Sequence, residues 1–249
     1  MATDFQPLYV LASGLYYQNR KMETITNNLA NVNTNGFKRD LLSAMAYPTK
    51  DSRKEVFTKE NNPLRASNNF IYPVMGKRKI DLSEGDLIKT DNPLDVALNG
   101  EGFFTVRVGN KTLYTRDGHF TVDKNGYLVT QSGYKVLGED GPIYIGRRNL
   151  TGIKIAKDGS IYANGTKIGK LKIVNLKELK KFGENLFEGK PVKAQNYTVI
   201  QGYLEGSNVN PVKEMVEMIK TVRVYESYAN GMKALDENNS KLINGILKA

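Results

Sequence analysis

The chain has no cysteine, no tryptophan and a single histidine, His119. Without cysteine there are no disulfides, no thiol nucleophile and no cysteine-ligated metal. One histidine excludes multi-histidine zinc sites and leaves little basis for a serine–histidine triad. No apolar run approaches the ~20 residues that a bilayer-spanning helix needs. Residues 1–6 lack the basic region of a secretory signal, so no cleaved leader is expected. What remains is a chain of 249 residues, 40% hydrophobic, long enough for one domain with appendages or two modest domains.

The formal net charge is +10, and residues 153–201 carry ten lysines against four acids. Such an excess suits nucleic acid or an anionic surface. Here the lysines are scattered along predicted strands and arginine is sparse, which fits a solvated surface better. The tyrosines do not change that reading. Tyr9, Tyr16, Tyr17, Tyr225 and Tyr228 fall in predicted helices, where packing accounts for them, and not on one sheet face with arginine nearby.

Motifs for chemistry are equally thin. Gly100-Glu101-Gly102 and the glycines at 138–141 match neither GxxxxGK[ST] nor GxGxxG at a strand-to-helix turn, and read as hairpin glycines. Asp91, Asp95 and Asp117 are candidate metal or acid–base groups, but Asp91-Asn92-Pro93 and Asp117-Gly118 are turn-formers. His119 has no evident partner in the sequence. No catalytic, cofactor-binding or metal-binding residue is expected, and no enzyme activity. A deep polar pocket joining His119 to carboxylates would revive an enzyme.

Both ends, by contrast, are strongly patterned. Leu8, Leu11, Leu15, Gln18, Met22, Ile25, Leu29 and Val32 follow a 3-4 spacing, with Gln18 the one polar member. Met215, Met218, Val222, Tyr225, Ala229, Met232, Asp236, Asn239, Ile243 and Ile246 do the same near the C-terminus. A seam of this kind needs a partner helix, within the chain or in an assembly. The first helix is expected from a cap at Asp4, with Pro7 in its first turn, to about Val32, before Asn35-Gly36. The last opens with Asn210 as cap, Pro211 at its first position and Glu214 in its first turn, and runs to about Leu247.

Between them the pattern changes. Residues 37–80 read as an extended connector, with Pro48, Pro63 and Pro73. From 81 to 189, turn dipeptides recur at Asn99-Gly100, Asp117-Gly118, Asn125-Gly126, Ser132-Gly133, Asp140-Gly141, Asp158-Gly159 and Asn164-Gly165. The runs between them, 102–108, 112–115, 119–122 and 127–130, predict an antiparallel all-β domain. Residues 177–181 admit a short helix. A return connector is expected over 190–208. The fold class is α+β: a helix over 1–36 and another over 209–249, paired like a coiled coil and flanking the connector and the β domain.

Three blocks then become specific. NNLANVNTNGFK at 27–38 contains Asn28, Leu29, Ala30, Asn31, Gly36 and Phe37. NPLDVALNGEGFF at 92–104 contains Leu94, Asp95, Gly100, Gly102, Phe103 and Phe104, and YTRDG at 114–118 and GYLVT at 126–130 continue it. LEGSNVNPVKEMV at 204–216 contains Ser207, Asn208 and Val209. In this order the chain resembles the bacterial flagellar rod, hook and hook-associated axial proteins. Its length fits a larger rod protein, of the proximal (F) or distal (G) type. The leader at 3–7 and the connector at 39–79 depart from the G pattern and tilt the reading to F.

The resemblance implies a structural subunit of the basal-body rod, lying outside the cytoplasmic membrane. It implies export unfolded by the flagellar type III apparatus, without a cleaved signal. Partners would be further copies and other rod and hook proteins in a helical assembly that passes torque from motor to hook, with neither nucleic acid nor membrane insertion. The assembly interface would be the two seams: Leu8, Leu11, Leu15, Met22, Ile25, Leu29 and Val32, with Met215, Met218, Val222, Tyr225, Met232, Ile243 and Ile246. A basic nucleic-acid-binding protein is the alternative.

Overall fold

A computed structural model describes residues 6–48, 71–146 and 152–246, apart from a few side chains near the ends of its elements. It is α+β, with a helix toward each end and a mainly antiparallel β domain between them. Two compact units result. One comprises 1–30, 40–79 and 210–249; the other comprises 31–39 and 80–209.

The first unit holds α1 (Gln6–Ala30), α2 (Pro211–Ile246), β1 (Asp40–Pro48) and most of β2 (Ile71–Ile80). The Asp4 cap, Pro63 and the middle of the connector lie outside the described residues, but its two ends form a two-stranded sheet, β1 with β2. The start of α2 follows the expected chemistry. Asn210 Oδ1 accepts the amide of Lys213 at 3.0 Å, and the Asn210 carbonyl accepts the amide of Glu214 at 3.0 Å. The side chain thus satisfies an amide that has no partner within the helix. Helix α1 stops at Ala30, short of Val32, in a turn closed by the Thr34 amide on the Asn31 carbonyl.

The two helices run antiparallel. Asn28 meets Glu214, Lys21 meets Glu217 at 3.2 Å, the Gly14 position abuts the Tyr228 ring, and Gly231 abuts Leu11. Gly14 allows this approach. A Cβ on Gly14 would lie 2.7 Å from the Tyr228 ring.

In the second unit, β4 (Val96–Gly100) pairs with β16 (Tyr197–Gln201), and β3 (Leu87–Lys89) with β17 (Tyr203–Glu205). Residues 190–208, expected as a return connector, therefore carry β16, β17 and the end of a third strand, Leu186–Lys193. The main sheet contains β5 (Phe103–Val108), β6 (Lys111–Thr115), β7 (Phe120–Val122), β8 (Leu128–Thr130), β9 (Lys135–Gly138), β14 (Ile173–Gly183) and β15 (Leu186–Lys193), with β10 (Gly141–Pro142) beside β9. Because β14 pairs with both β15 and β5, the strands β5, β6, β15 and β14 close a ring. Phe103, Tyr114, Val174 and Phe187 are buried together, with the two phenylalanine rings 5.2 Å apart. A separate sheet comprises β11 (Ile153–Ile155), β12 (Ser160–Ala163) and β13 (Thr166–Lys170). The larger core contains Val96, Leu98, Phe104, Phe120, Leu128, Ile161 and Leu171.

The short helix admitted at 177–181 is not formed. Those residues lie in β14, where the register breaks between Lys177 and Lys180 and Glu178 takes φ 57°. A bulge absorbs the extra residue while the flanking backbone stays paired with β15. The expected glycine turns divide into two groups. Those at 125–126, 132–133, 140–141, 158–159 and 164–165 join antiparallel strands. Gly100 ends β4, and Gly118 admits close approach: a Cβ there would overlap the Val96 carbonyl. The β14–β15 turn, with Glu184 and Asn185 both at positive φ, has no Asn-Gly or Asp-Gly signal.

Gly36 has φ 66°, and a Cβ there would sit 2.5 Å from the Arg116 carbonyl carbon. Gly36→Ala is expected to destabilise the β-containing unit by about 2 kcal/mol, the scale of a strained backbone position. Urea denaturation of the full chain, followed by tyrosine fluorescence, measures the loss.

Candidate assembly surface and its support

Two buried polar clusters hold the signature segments, one in each unit. In the helical unit, Asn28 is buried. Its Nδ2 donates to the Asp40 carbonyl at 3.0 Å and to Glu214 Oε2 at 3.3 Å, while its Oδ1 accepts the Asp40 amide at 2.9 Å. One amide side chain thus ties α1 to the start of β1 and to the first turn of α2. The buried Glu214 also stands near the positive end of its own helix.

In the β-containing unit the corresponding group is Glu205. Its Oε1 receives Lys38 Nζ at 2.5 Å and the Gly85 amide at 3.1 Å; its Oε2 receives Arg116 at 3.2 Å. All three charged side chains are almost wholly buried. Burial holds the Lys38 ammonium below its ordinary pKa, an effect that Glu205 opposes. Lys38 also donates to the Ser83 carbonyl at 2.6 Å, and Arg116 to the Gly100 carbonyl at 2.6 Å. Asn208 completes the closure: its Nδ2 donates to the carbonyls of Asp81 and Ser83, and its Oδ1 accepts the Arg39 amide at 2.7 Å. The Gly36 amide donates to the Glu205 carbonyl.

Most of the signature residues thus make contacts within the subunit. Phe37, Phe103, Phe104 and Val209 are buried, Leu94 packs against the larger core, and Gly102 takes φ 132°. Ser207 Oγ accepts the Val209 amide at 3.3 Å. Of the seam residues, Ile25 is buried and Leu11, Leu15, Met22, Leu29, Met218, Val222 and Met232 are half-buried. Val32 falls beyond α1, and the side chains of Ile243 and Ile246 lie outside the described residues. Leu8, Met215 and Tyr225 are exposed.

The face that α2 turns to α1 runs through Glu214, Thr221, Tyr228 and Gly231, about one position away from the apolar spacing read in the sequence. Opposite that face lies a second apolar stripe. Val212, Met215, Val216 and Ile219 are 68%, 55%, 46% and 54% exposed. Of these the seam reading included only Met215, although the i, i+3, i+4, i+7 spacing of all four is legible in the sequence.

His119 does have a partner. Its Nδ1 lies 2.7 Å from Oδ1 of the buried Asp95, and its amide donates to Asp117 Oδ1 at 2.9 Å. An open cavity of about 330 Å³ in the same unit is lined by Glu84, Glu101, Arg116, Asn175 and Asn196, and His119 is not part of its wall. Among the described residues no cluster of three or more His, Asp or Glu could hold a metal ion, and no helix is long and apolar enough to cross a membrane.

Two outcomes follow from these contacts. Glu205→Ala is expected to cost ~3–5 kcal/mol, because Lys38 and Arg116 would be left buried without their counter-charge; equilibrium urea unfolding measures it. The Asp117 carboxyl is raised above its ordinary value, chiefly by burial. The folded state therefore favours its neutral form: its cost is absent below the unfolded pKa and fully present above the folded one. Asp117→Asn should raise Tm at pH 7, with the gain vanishing near pH 3. A Tm–pH series on both proteins tests this.

Three family descriptions match the chain. They are the flagella basal body rod protein over residues 8–38, the flagellar hook protein FlgE/F/G D1 domain over 97–163, and the flagellar basal body rod FlgEFG protein C-terminal region over 200–245. The flagellar basal-body rod protein FlgG of Buchnera aphidicola (subsp. Acyrthosiphon pisum) is 37% identical, over 94% of this chain and 97% of its own length. FlgF of Caulobacter vibrioides is 32% identical, over 90% and 91%. FlgG of Bacillus subtilis is 29% identical, over 95% and 97%. Matches carry both names, and the family is the level at which they agree: the chain belongs to the flagellar basal-body rod proteins.

Proposed function

We propose that this chain is a structural subunit of the flagellar basal-body rod, polymerising through its terminal helices and transmitting torque from motor to hook. Other rod and hook proteins are its neighbours, and the flagellar type III apparatus exports it without a cleaved signal to a periplasmic rod. In the assembled rod the helix pair takes a coiled-coil-like form, and the seam residues contribute to contacts between subunits. The observation that carries this reading is the two-faced helix α2. A helix that already packs against α1 still presents Val212, Met215, Val216 and Ile219 on its far side. Apolar area left in water favours association by ~25 cal/mol per Å² when covered, and heterologous contacts that do not close generate a filament.

We read the chain as non-enzymatic, with His119 serving to bond Asp95. The nucleic-acid alternative finds no support among the relatives, and Lys170 and Lys190 are already paired with Glu139 and Glu178. Ile219→Asp tests the assembly role. The isolated subunit should keep its circular dichroism spectrum and its stability to within about 0.5 kcal/mol, as for an exposed site, while incorporation into rods is lost. Normal rods and motility with this variant would overturn the proposal.

A further inference from the structure

Backbone strain in the β-containing unit is concentrated at one place. Among the described residues, five that are not glycine have positive φ, and three of them, Glu178, Glu184 and Asn185, fall in the β14–β15 hairpin. Asparagine tolerates that region, but glutamate is not among the residues enriched there. The pairing of β14 with β15 is also irregular at two points, between Lys177 and Lys180 and between Lys181 and Gly183. None of residues 177–185 is buried, whereas Leu186 and Phe187, which pair with β6, are. Costly backbone persists only where particular contacts hold it.

Those contacts are made chiefly with segment 35–38. Lys181 Nζ donates to the Lys38 carbonyl at 2.6 Å and stands 3.9 Å from the Phe37 ring centre. Asn185 Nδ2 donates to the Asn35 carbonyl at 2.6 Å. Asn185 Oδ1 is out of water and has no hydrogen-bond partner, a cost that a relaxed turn would not carry. Two lesser contacts tie the tip to its own sheet: Tyr134 donates its hydroxyl proton to Glu184, and Thr115 Oγ1 donates to the Asn185 carbonyl. The same segment is bound by β17, where the Gly36 amide meets the Glu205 carbonyl and Lys38 meets the Glu205 carboxylate. Residues 35–38 are thus held by both β17 and the hairpin tip.

We propose that residues 180–185 form a strap, which closes over segment 35–38 and opens as a unit of its own. Its base is the bulge at 178–179, where Leu179 packs against the cluster of Phe103, Tyr114, Val174 and Phe187. Closed, the strap lays Lys181 on the Phe37 ring and holds the carbonyls of Asn35 and Lys38. Open, Glu184 and Asn185 leave the left-handed region and their strain is released. A docked segment supplies the contacts that offset the strain, and a closed strap holds the segment. Coupling of this kind is reciprocal, so loosening either partner loosens the other. Few buried contacts and exposed backbone bonds let such a piece open at a free energy below that of global unfolding. Residues 31–39 are the stretch through which the chain passes into this unit from the helical one, so the strap governs how firmly that passage is fixed. It acts within one molecule and is independent of how copies join.

Native-state hydrogen exchange on the full chain, read peptide by peptide in rising sub-denaturing urea, tests the strap. In the unaltered chain, residues 180–185 should exchange through an opening that depends less on urea than the opening of β5 and β8. Lys181→Met keeps an unbranched side chain and removes the ammonium. It should speed exchange at 35–38 by about ten-fold, a usual size for coupled sites, and leave β5 and β8 within about two-fold, as for a local opening. Phe37→Leu removes the ring beneath Lys181 and should speed exchange at 180–185 by a similar factor. Unchanged exchange at 35–38 in Lys181→Met overturns the strap. So does equal acceleration across the whole unit, which marks these contacts as ordinary stabilisation. Should either variant fail to fold, the urea series on the unaltered chain decides alone: exchange at 180–185 only through global unfolding overturns the proposal.

Discussion

A single carboxylate, Glu205, draws together parts of the chain that are far apart in sequence. Lys38 comes from the N-terminal block, Arg116 from the middle block, and Glu205 itself opens the C-terminal block. Three charges removed from water are tolerable only together. Desolvation of each costs several kcal/mol, and only close, well-bonded counter-charges offset it. The carbonyls of Ser83, Leu98 and Gly100 accept further hydrogen bonds from Lys38 and Arg116. The network therefore exists whole or not at all, which suits a closure that must be unambiguous after the chain has left and re-entered the β-containing unit. Asn208 and Gly36 reinforce the same closure through the backbone.

In the helical unit, Asn28 does with an amide what Glu205 does with a charge. By exchanging two bonds with the Asp40 backbone it imitates a strand partner, and its remaining donor reaches Glu214. Each unit is tied beside the points where the chain passes from one to the other. A subunit of a drive shaft has to resist twisting, and buried polar contacts that permit only one geometry serve that purpose better than interchangeable apolar ones.

The outer faces of α1 and α2 follow a different logic. Tyr9, Tyr16, Val212 and Ile219 stay largely exposed, while the close helix contact sets Gly14 against the Tyr228 ring. Glycine at position 14 makes room for the Tyr228 ring between the helices, and further large apolar residues remain outward. An ordinary surface helix would carry its large apolar residues on one face only. Such an arrangement makes sense when the helix pair is one layer of something larger.

Much of this was readable from residue order. The two helices, the Asn210–Pro211 start, the short strands and the hairpin glycines at 126, 133, 141, 159 and 165 follow from local chemistry: capping, 3-4 spacing and positive φ. Family signatures were legible too, but their roles were not. Asn28, Lys38, Arg116, Glu205 and Asn208 look in the sequence like ordinary polar residues, because nothing local says that they will be buried. The β14–β15 turn and its bulge escaped because their backbone is set by strand pairing, of β14 with β15 and of β15 with β6, and not by turn residues. The His119–Asp95 pair and the true inner face of α2 were likewise set by neighbours distant in sequence. Local conformational preference acts over a few residues and is written in their order; burial of charge and the choice of facing side chains depend on which segments meet, and only the folded chain decides that.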